Sequence, residues 1–250
     1  MSEGTISETA EKKVAIVTGS SSGIGAAVAR RLAAEGMRVV VNSSRSPDAG
    51  HEVAASLPEA TYVRADVSDE AAARDLVAAA LDAYGRLDVL VNNAGTTRLI
   101  PHEDLQAATP DIWREILGLN VVGTWQLSVA AMPHLRESGD GCIVNVSSVA
   151  GSRPAGSSIP YAVSKAAIEH MTRLLARVVG PEVRVNAVAP GLIETPWTRD
   201  FTAVAEKVRA ETPLRRVGQP DDVAEVVLTL ATATYVTGQV LLADGGAHLI

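Results

Sequence analysis

Thr18-Gly19-Ser20-Ser21-Ser22-Gly23-Ile24-Gly25 is the first turn of the chain. The apolar run Val14–Thr18 leads straight into it, and an Ala-rich helical pattern over 24–35 leaves it at once. Glycines permit a tight turn and let the backbone approach another group closely. The helix start beyond them offers free N–H groups and a positive dipole end, which together suit a pyrophosphate. The spacing is Gly-x-x-x-Gly-x-Gly, not the more familiar Gly-x-Gly-x-x-Gly. Ser/Gly turns also occur as plain loops, but the strand before and the helix after favour a phosphate cradle.

Working outward, the same strand-then-helix order repeats. Val/Ile-rich runs lie at Val14–Thr18, Arg38–Asn42, Thr61–Arg64, Leu87–Asn92, Cys142–Ser147, Val183–Ala189 and Gln239–Ala243. Helical patterns fall near 24–35, 48–57, 69–84, 109–137, 161–178 and 221–231. Nearly continuous apolar runs are what strands covered on both faces look like. The alternation predicts an α/β fold: a doubly wound, Rossmann-type, seven-stranded parallel sheet with helices on both faces. Residues 12–250 are expected to form one domain, preceded by a flexible polar extension at 1–11. The stretch 192–220, with Pro196, Trp197, Phe201, Pro213, Gly218 and Pro220, breaks the alternation and is expected to be a substrate lid.

Composition narrows the partners. A net charge of −7 argues against nucleic acid, which wants a basic face. The single cysteine, Cys142, excludes an intrachain disulfide and sits in an apolar run, so it is expected in the core. No metal site is expected. The N-terminus has no apolar signal region, and no apolar run approaches the length of a membrane span. The default is a cytoplasmic protein without membrane partners.

Ligands of such sheets bind at the carboxyl ends of the strands, and the remaining candidates sit there. The second strand ends in Ser43-Ser44-Arg45 with no Asp or Glu to hold a ribose 2′-hydroxyl. Arg45 could pair with a 2′-phosphate, with Ser43 or Ser44 donating to it; it could equally be a solvated loop residue. The missing acid favours NADP(H), with NAD(H) as the alternative. Asp66-Val67 follows the third strand, and Asp66 could accept from an adenine amino group. The rival reading is a helix cap, a task for which Ser68 and Asp69 are better placed. Asn92-Asn93-Ala94-Gly95 ends the fourth strand; its small residues let a cofactor pass, and its Asn side chains can tie strand ends together.

Tyr161 and Lys165 stand four apart at the start of a predicted helix, on one face. A nearby ammonium favours the phenolate. Bringing a phenol from its ordinary pKa to about 7 takes about 4 kcal/mol. A Tyr and a Lys at this spacing are common and usually structural. Here Ser148 stands 13 residues before Tyr161, and Asn120 interrupts the apolar setting Leu119-Asn120-Val121-Val122. Asn120 could be a helix-bending residue bonded to backbone. The four residues together point to acid/base chemistry.

These residues resemble the short-chain dehydrogenase/reductase family, closest in flavour to its 3-oxoacyl-carrier-protein reductase and ketoreductase branch. The resemblance spans about Lys13 to Gly246 and rests on Thr18-Gly19…Gly23-Ile24-Gly25, Asp66-Val67, Asn92-Asn93-Ala94-Gly95, Asn120, Ser148, Tyr161…Lys165 and Pro190-Gly191…Thr195. It implies hydride transfer between NADP(H) and a ketone or secondary alcohol. Tyr161 would be the acid/base, Lys165 would bond the nicotinamide ribose, Ser148 would hold the substrate oxygen, and Asn120 would anchor a relay water. Gly19, Ser21, Ser22, Gly23, Ile24 and Gly25 would cradle the phosphates, with Ser43, Ser44, Arg45, Asp66, Val67, Asn93, Ala94 and Gly95 along the adenosine. Pro190, Gly191, Ile193 and Thr195 would cover the nicotinamide and its phosphate. The substrate would be a small carbonyl or alcohol, including an acyl thioester. The assembly would be a homotetramer or homodimer built through the helices carrying Asn120 and Tyr161, which are apolar on more than one face. Two places depart from the family pattern: Ser22 stands where many NADP-preferring relatives carry a basic residue, and Leu230–Val236 is slightly short. An NAD-linked alcohol or sugar dehydrogenase is the competing reading, and a non-catalytic nucleotide sensor a further one.

The substrate pocket is expected from Thr96–Ile100, Arg153–Ser158 and 192–215. Arg98 and Arg153 read best as solvated surface charges. Arg215-Arg216 could meet a carrier protein, but Asp221-Asp222 offer ordinary ion-pair partners.

Overall fold

Side-chain alternation along the first strand sorts the core into two layers. In the computed structural model, which describes residues 12–250, Val14 and Ile16 of β1 (Val14–Val17) face one layer, and Ala15 and Val17 face the other. Successive strand residues point to opposite faces, so a strand apolar throughout must be covered twice. One layer holds α1 (Gly23–Ala34), α2 (Pro47–Ala55) and α8 (Pro220–Thr232). The other holds α3 (Glu70–Tyr84), α5 (Thr124–Glu137) and α6 (Ile159–Val179). α1 packs on α8, and Ala26, Ala29 and Ala33 of the one and Ala224 and Ala231 of the other lie buried in the same core cluster.

The other strands are β2 (Arg38–Ser43), β3 (Ala60–Arg64), β4 (Val89–Asn92), β5 (Gly141–Val146), β6 (Val183–Pro190) and β7 (Val240–Ala243). All pair in parallel, in the order β3-β2-β1-β4-β5-β6-β7. The chain runs outward from β1 to β3, then crosses back to lay β4 on the other side of β1. This reversal opens a crevice at the carboxyl ends of β1 and β4, where a ligand binds in such sheets. The expected fold class holds. The 1–11 extension lies outside the described residues.

Three details differ from the sequence reading. The helical pattern at 109–137 divides into α4 (Pro110–Leu117), a π turn at Gly118–Gly123 and α5. This run is long and apolar enough to cross a membrane by length and composition, which corrects the expectation that no run approaches that length. It packs on α3 and α6 and buries Ile116, Leu127, Ala131 and Leu135, while Val122, Trp125 and Val129 stay about half-exposed. Within 192–220 lies a helix the sequence reading did not find, α7 (Thr202–Glu211); it buries no residue, so no apolar stripe marks it. Cys142 is in the core as expected, and burial pushes its thiol up to about 11.

Buried polar groups fasten the layers. Asp88, 1% exposed, accepts from the Val14 N–H (2.8 Å) and from Arg86 through both carboxylate oxygens (2.9 and 2.7 Å). Arg184 reaches from β6 to the end of α8, where its guanidinium donates to the carbonyls of Leu230, Ala231 and Ala233 at 2.8–2.9 Å. A helix end leaves its last carbonyls without partners, and a cation there also suits the dipole.

Candidate active site

The crevice begins with the glycine turn. Gly19 and Gly23 have φ of +62° and +54°, and a Cβ on Gly25 would lie 2.4 Å from the Gly19 carbonyl. Only glycine fits where helix and turn approach this closely. Asn93 Nδ2 holds the turn by donating to the carbonyls of Thr18 (2.8 Å) and Gly19 (3.1 Å). Thr195, beyond β6, comes within 3.2 Å of where a Gly23 Cβ would sit. Ser22 is the N-cap of α1, and its hydroxyl makes no capping bond. Ile24 is partly buried against the core.

A cleft of about 160 Å³ continues past Gly19 and Ser21 between Ser43–Ser46 and Ala65–Val67, reaching Ala94 and Gly95. Arg45 is exposed at its rim and makes no hydrogen bond or ion pair among the described residues. Ser43 is turned inward: its hydroxyl donates to the Ser46 carbonyl (3.0 Å) and lies 2.9 Å from the Tyr62 hydroxyl. Ser43 and Ser44 both line the cleft beside Arg45, with the Ser43 hydroxyl already bonded within the protein. Asp66 Oδ1 accepts from the Ser68 N–H (3.0 Å) and hydroxyl (2.7 Å), while Asp69 caps α3 at the Ala72 N–H (2.8 Å). The cradle of crowded glycines fits a dinucleotide pyrophosphate, and Arg45 at the cleft has no protein partner among the described residues.

The second half of the crevice is built by α6 lying along the end of β5. Ser158 caps the helix, accepting from the Tyr161 N–H (3.4 Å), which puts Tyr161 in the first turn. The Ser148 hydroxyl lies close enough to the Tyr161 phenol to oppose the rise in its pKa. Lys165, 4% exposed, donates from Nζ to the Val146 carbonyl (2.8 Å), and its Nζ stands 5.5 Å from the Tyr161 ring centre. Asn120, fully buried in the π turn, accepts from the Thr96 N–H (2.8 Å) and donates to the Thr96 carbonyl and the Ser164 hydroxyl (both 3.0 Å). Widened turns of this kind often occur at functional sites. Gly95 faces both groups: a Cβ there would lie 3.3 Å from Asn120 Oδ1 and 3.8 Å from Lys165 Nζ.

A family model described as enoyl-(acyl carrier protein) reductase matches residues 19–248. A relative assigned as ketoacyl reductase 2 of the granaticin polyketide synthase of Streptomyces violaceoruber is 71% identical over 243 residues, covering 96% of this chain and 98% of its own. A solved structure from Brucella melitensis, a short-chain dehydrogenase/reductase titled glucose/ribitol dehydrogenase, superposes with a TM-score of 0.89. It is 32% identical and covers 94% of this chain and 96% of its own. The chain belongs to the short-chain dehydrogenase/reductase family. The 3-oxoacyl-acyl-carrier-protein reductase of Thermotoga maritima is 39% identical over 244 residues, covering 94% of this chain and 98% of its own. As a family member, this chain is an oxidoreductase and a homologue of ketoacyl reductases.

The electrostatics of this dehydrogenase/reductase differ from the sequence expectation in one respect. Burial pushes the Tyr161 phenol up to about 12, with the Ser148 hydrogen bond pulling the other way; Lys165, also buried, is pulled down to about 8. Desolvation outweighs the opposing Ser148 contact, so Tyr161 stands as a neutral acid. Trp197, on the short turn Pro196–Thr198, presents its ring to Tyr161 edge-on, with ring centres 6.3 Å apart.

Other expected residues take assorted places. Pro190 ends β6, and Gly191 packs so close to Asp244 that a Cβ would lie 2.9 Å from its Cα. The Ile193 side chain is in the core cluster and its carbonyl accepts the Thr198 hydroxyl (2.5 Å), which leaves its backbone N–H for a ligand. The Thr97 and Ser157 hydroxyls are 2.6 Å apart and the Ile100 N–H donates to the Ser157 carbonyl (2.8 Å), so two of the expected pocket segments meet. A cavity of about 460 Å³ lies beside them, between 99–103 and 155–157. Neither Arg98 nor Arg153 is merely solvated: Arg98 pairs with Glu115 (2.7 Å), and Arg153 donates to the Ala247 (2.6 Å) and Ile250 (2.5 Å) carbonyls. Arg216 pairs with Asp222, as the neighbouring acids suggested. Asn92 ties the ends of β4 and β5 through Asn145 (2.9 Å), within a buried polar chain whose outer members, Ser128 on α5 and Thr172 on α6, the sequence reading did not name.

Proposed function

We propose that this protein reduces a ketone to a secondary alcohol with NADPH, Tyr161 giving the proton. The observation that carries the reading is the alignment of Tyr161 and Lys165 on one face of α6 against the end of β5, with the Ser148 hydroxyl on the phenol. When bound, NADPH supplies the hydride. Ser148 holds the carbonyl oxygen as negative charge develops on it. Tyr161, neutral because it is buried, delivers its proton to that oxygen. Lys165 uses one proton on Val146 and offers the others to the nicotinamide ribose hydroxyls. The Asn120 side chain is committed to Thr96 and Ser164, so a relay water falls to its main-chain carbonyl, which takes the Thr124 hydroxyl (2.8 Å) and has a second lone pair. Pro190, Gly191, the Ile193 backbone and Thr195 border the nicotinamide end, and 192–220 is the lid.

The acyl-thioester substrate class rests on the relatives named for ketoacyl reduction. A screen of NADPH oxidation over acetoacetyl-CoA, ethyl acetoacetate, a 1,3-diketone, an ortho-quinone and simple sugars tests it. Turnover of none of the ketones would refute the reading. The Brucella melitensis structure's name favours a second reading, an NAD-linked sugar dehydrogenase; oxidation of a sugar with NAD faster than reduction of any ketone would establish that instead.

Arg45 makes cofactor choice a prediction. NADPH is expected to exceed NADH in kcat/KM by about tenfold or more. Arg45→Ala is expected to cut the NADPH value by about tenfold, the worth of a charge-assisted phosphate contact, while sparing NADH. Equal losses with both dinucleotides would refute this role.

We also propose a homotetramer or homodimer, in a cytoplasmic setting. Ile116, Leu127, Ile168 and Leu175 of the two helices face the core, but Val122, Trp125, Val129, Leu174 and Val178 remain about half-exposed or more. Contiguous apolar surface of this sort marks an interface. Light scattering at micromolar concentration should give at least a dimer mass, and Trp125→Glu with Leu174→Glu should lower it; a monomeric wild type would refute the assembly.

A further inference from the structure

The α6 face that carries Tyr161 and Lys165 continues to Glu169, one turn on. Three consecutive residues at the end of β5 are each engaged by one of these side chains. The Val146 carbonyl takes the Lys165 ammonium, the Ser147 hydroxyl lies 3.2 Å from Glu169 Oε1, and the Ser148 hydroxyl meets the Tyr161 phenol. The first and third contacts belong to the proposed chemistry. The second does not, yet Glu169 is only 5% exposed, and a carboxylate is costly to bury. Its other partner, Arg173, is half-exposed and 3.8 Å away. Burial pushes the Glu169 carboxyl upward, with Ser147 and Arg173 opposing.

The carboxylate also touches the chain on the other side of Ser148. A Cβ on Gly151 would lie 2.5 Å from Glu169 Oε1 and 2.9 Å from the Lys165 carbonyl carbon. The turn Val149–Gly151, which Ser148 caps through the Ala150 N–H (3.2 Å), is therefore seated on Glu169. One side chain holds the residue before Ser148 and the turn after it.

We infer that Glu169 is a positioning residue for catalysis, fixing Ser148 against Tyr161 from both sides. The inference rests on the carbonyl-reductase reading. Misplacing a reacting group by about 1 Å can cost about 10²-fold in rate, so a partial loosening should be visible in kcat. Steady-state kinetics with NADPH and the ketone of the panel above that the wild type reduces best, with Tm measured alongside, form the test. Glu169→Leu is expected to lower kcat about tenfold or more with little change in the KM for NADPH. Glu169→Gln, which keeps an oxygen for Ser147 and the same shape, recovers most of the loss. Ser147→Ala lowers kcat in the same direction, and the losses in Ser147→Ala and Glu169→Leu do not multiply in the double variant. Should Glu169→Leu fail to fold, Glu169→Ala takes its place rather than Ser147→Ala, because Ser147 also bonds the Lys165 carbonyl (3.2 Å). Wild-type kcat in the folded variants overturns the inference, even where Tm falls, because Glu169 is then a structural anchor only. A wild type that reduces no ketone removes the reading beneath it, a failure told apart by the wild-type assay itself.

Discussion

Tyr161→Phe lowers kcat by about 10³-fold, while NADPH binds within about threefold of wild type. The substitution removes one oxygen and keeps the ring that Trp197 meets edge-on. Ser148 keeps its bond from the Ala150 N–H, so the strand end stays in place. What is lost is the acid, and a positioned general acid contributes about 10²–10⁴-fold. Stopped-flow kinetics and NADPH titration of the same variant separate the two effects. Wild-type turnover would remove Tyr161 from the mechanism; equal losses in turnover and binding would make it a cofactor ligand alone. The pH profile adds a signed expectation. The phenol, pushed up to about 12, remains an acid through neutral pH, whereas Lys165, pulled down to about 8, sheds its proton as pH rises through that value. Reduction is therefore level at neutral pH and declines above about 8, while alcohol oxidation, which needs the phenolate, improves with pH.

Arg184→Met destabilises the fold by about 3–5 kcal/mol, the usual cost of removing one side of a buried charged contact. The guanidinium is 8% exposed and serves three carbonyls at the end of α8. Methionine fills much of the volume but donates nothing, so buried carbonyls lose their partners. For a chain of this size the loss corresponds to a fall in Tm of roughly 10 °C. Differential scanning calorimetry measures it, and a fall of less than about 2 °C would mean that water replaces the guanidinium. The site lies at the other end of α8 from the lid, so kcat at a permissive temperature should hold.

What the sequence disclosed was local. The strand–glycine turn–helix unit is written in contiguous residues, and the i,i+4 spacing of Tyr161 and Lys165 fixes their common face once a helix is expected. The misses depend on distance along the chain or on an absent pattern. The Ser43 hydroxyl is bonded to Tyr62, which belongs to the neighbouring strand. The π turn at Gly118–Gly123 hides inside a helical periodicity that it shifts by a single residue. Helix α7 has no buried face and so no apolar stripe. Arg184, Asp88 and Glu169 look like ordinary surface charges until the sheet and the helix ends close around them. The sign of the Tyr161 shift was missed for the same reason: spacing reveals a lysine, but burial is a property of the assembled crevice.

The edge-on contact between Trp197 and Tyr161 also gives the protein an optical handle. Of its three tryptophans, Trp113 and Trp125 stand on α4 and α5, whereas Trp197 stands on the turn Pro196–Thr198 beside the phenol. Its emission is therefore a local gauge of the crevice, able to follow cofactor arrival in real time. A Trp113→Phe, Trp125→Phe background would leave that one lamp lit.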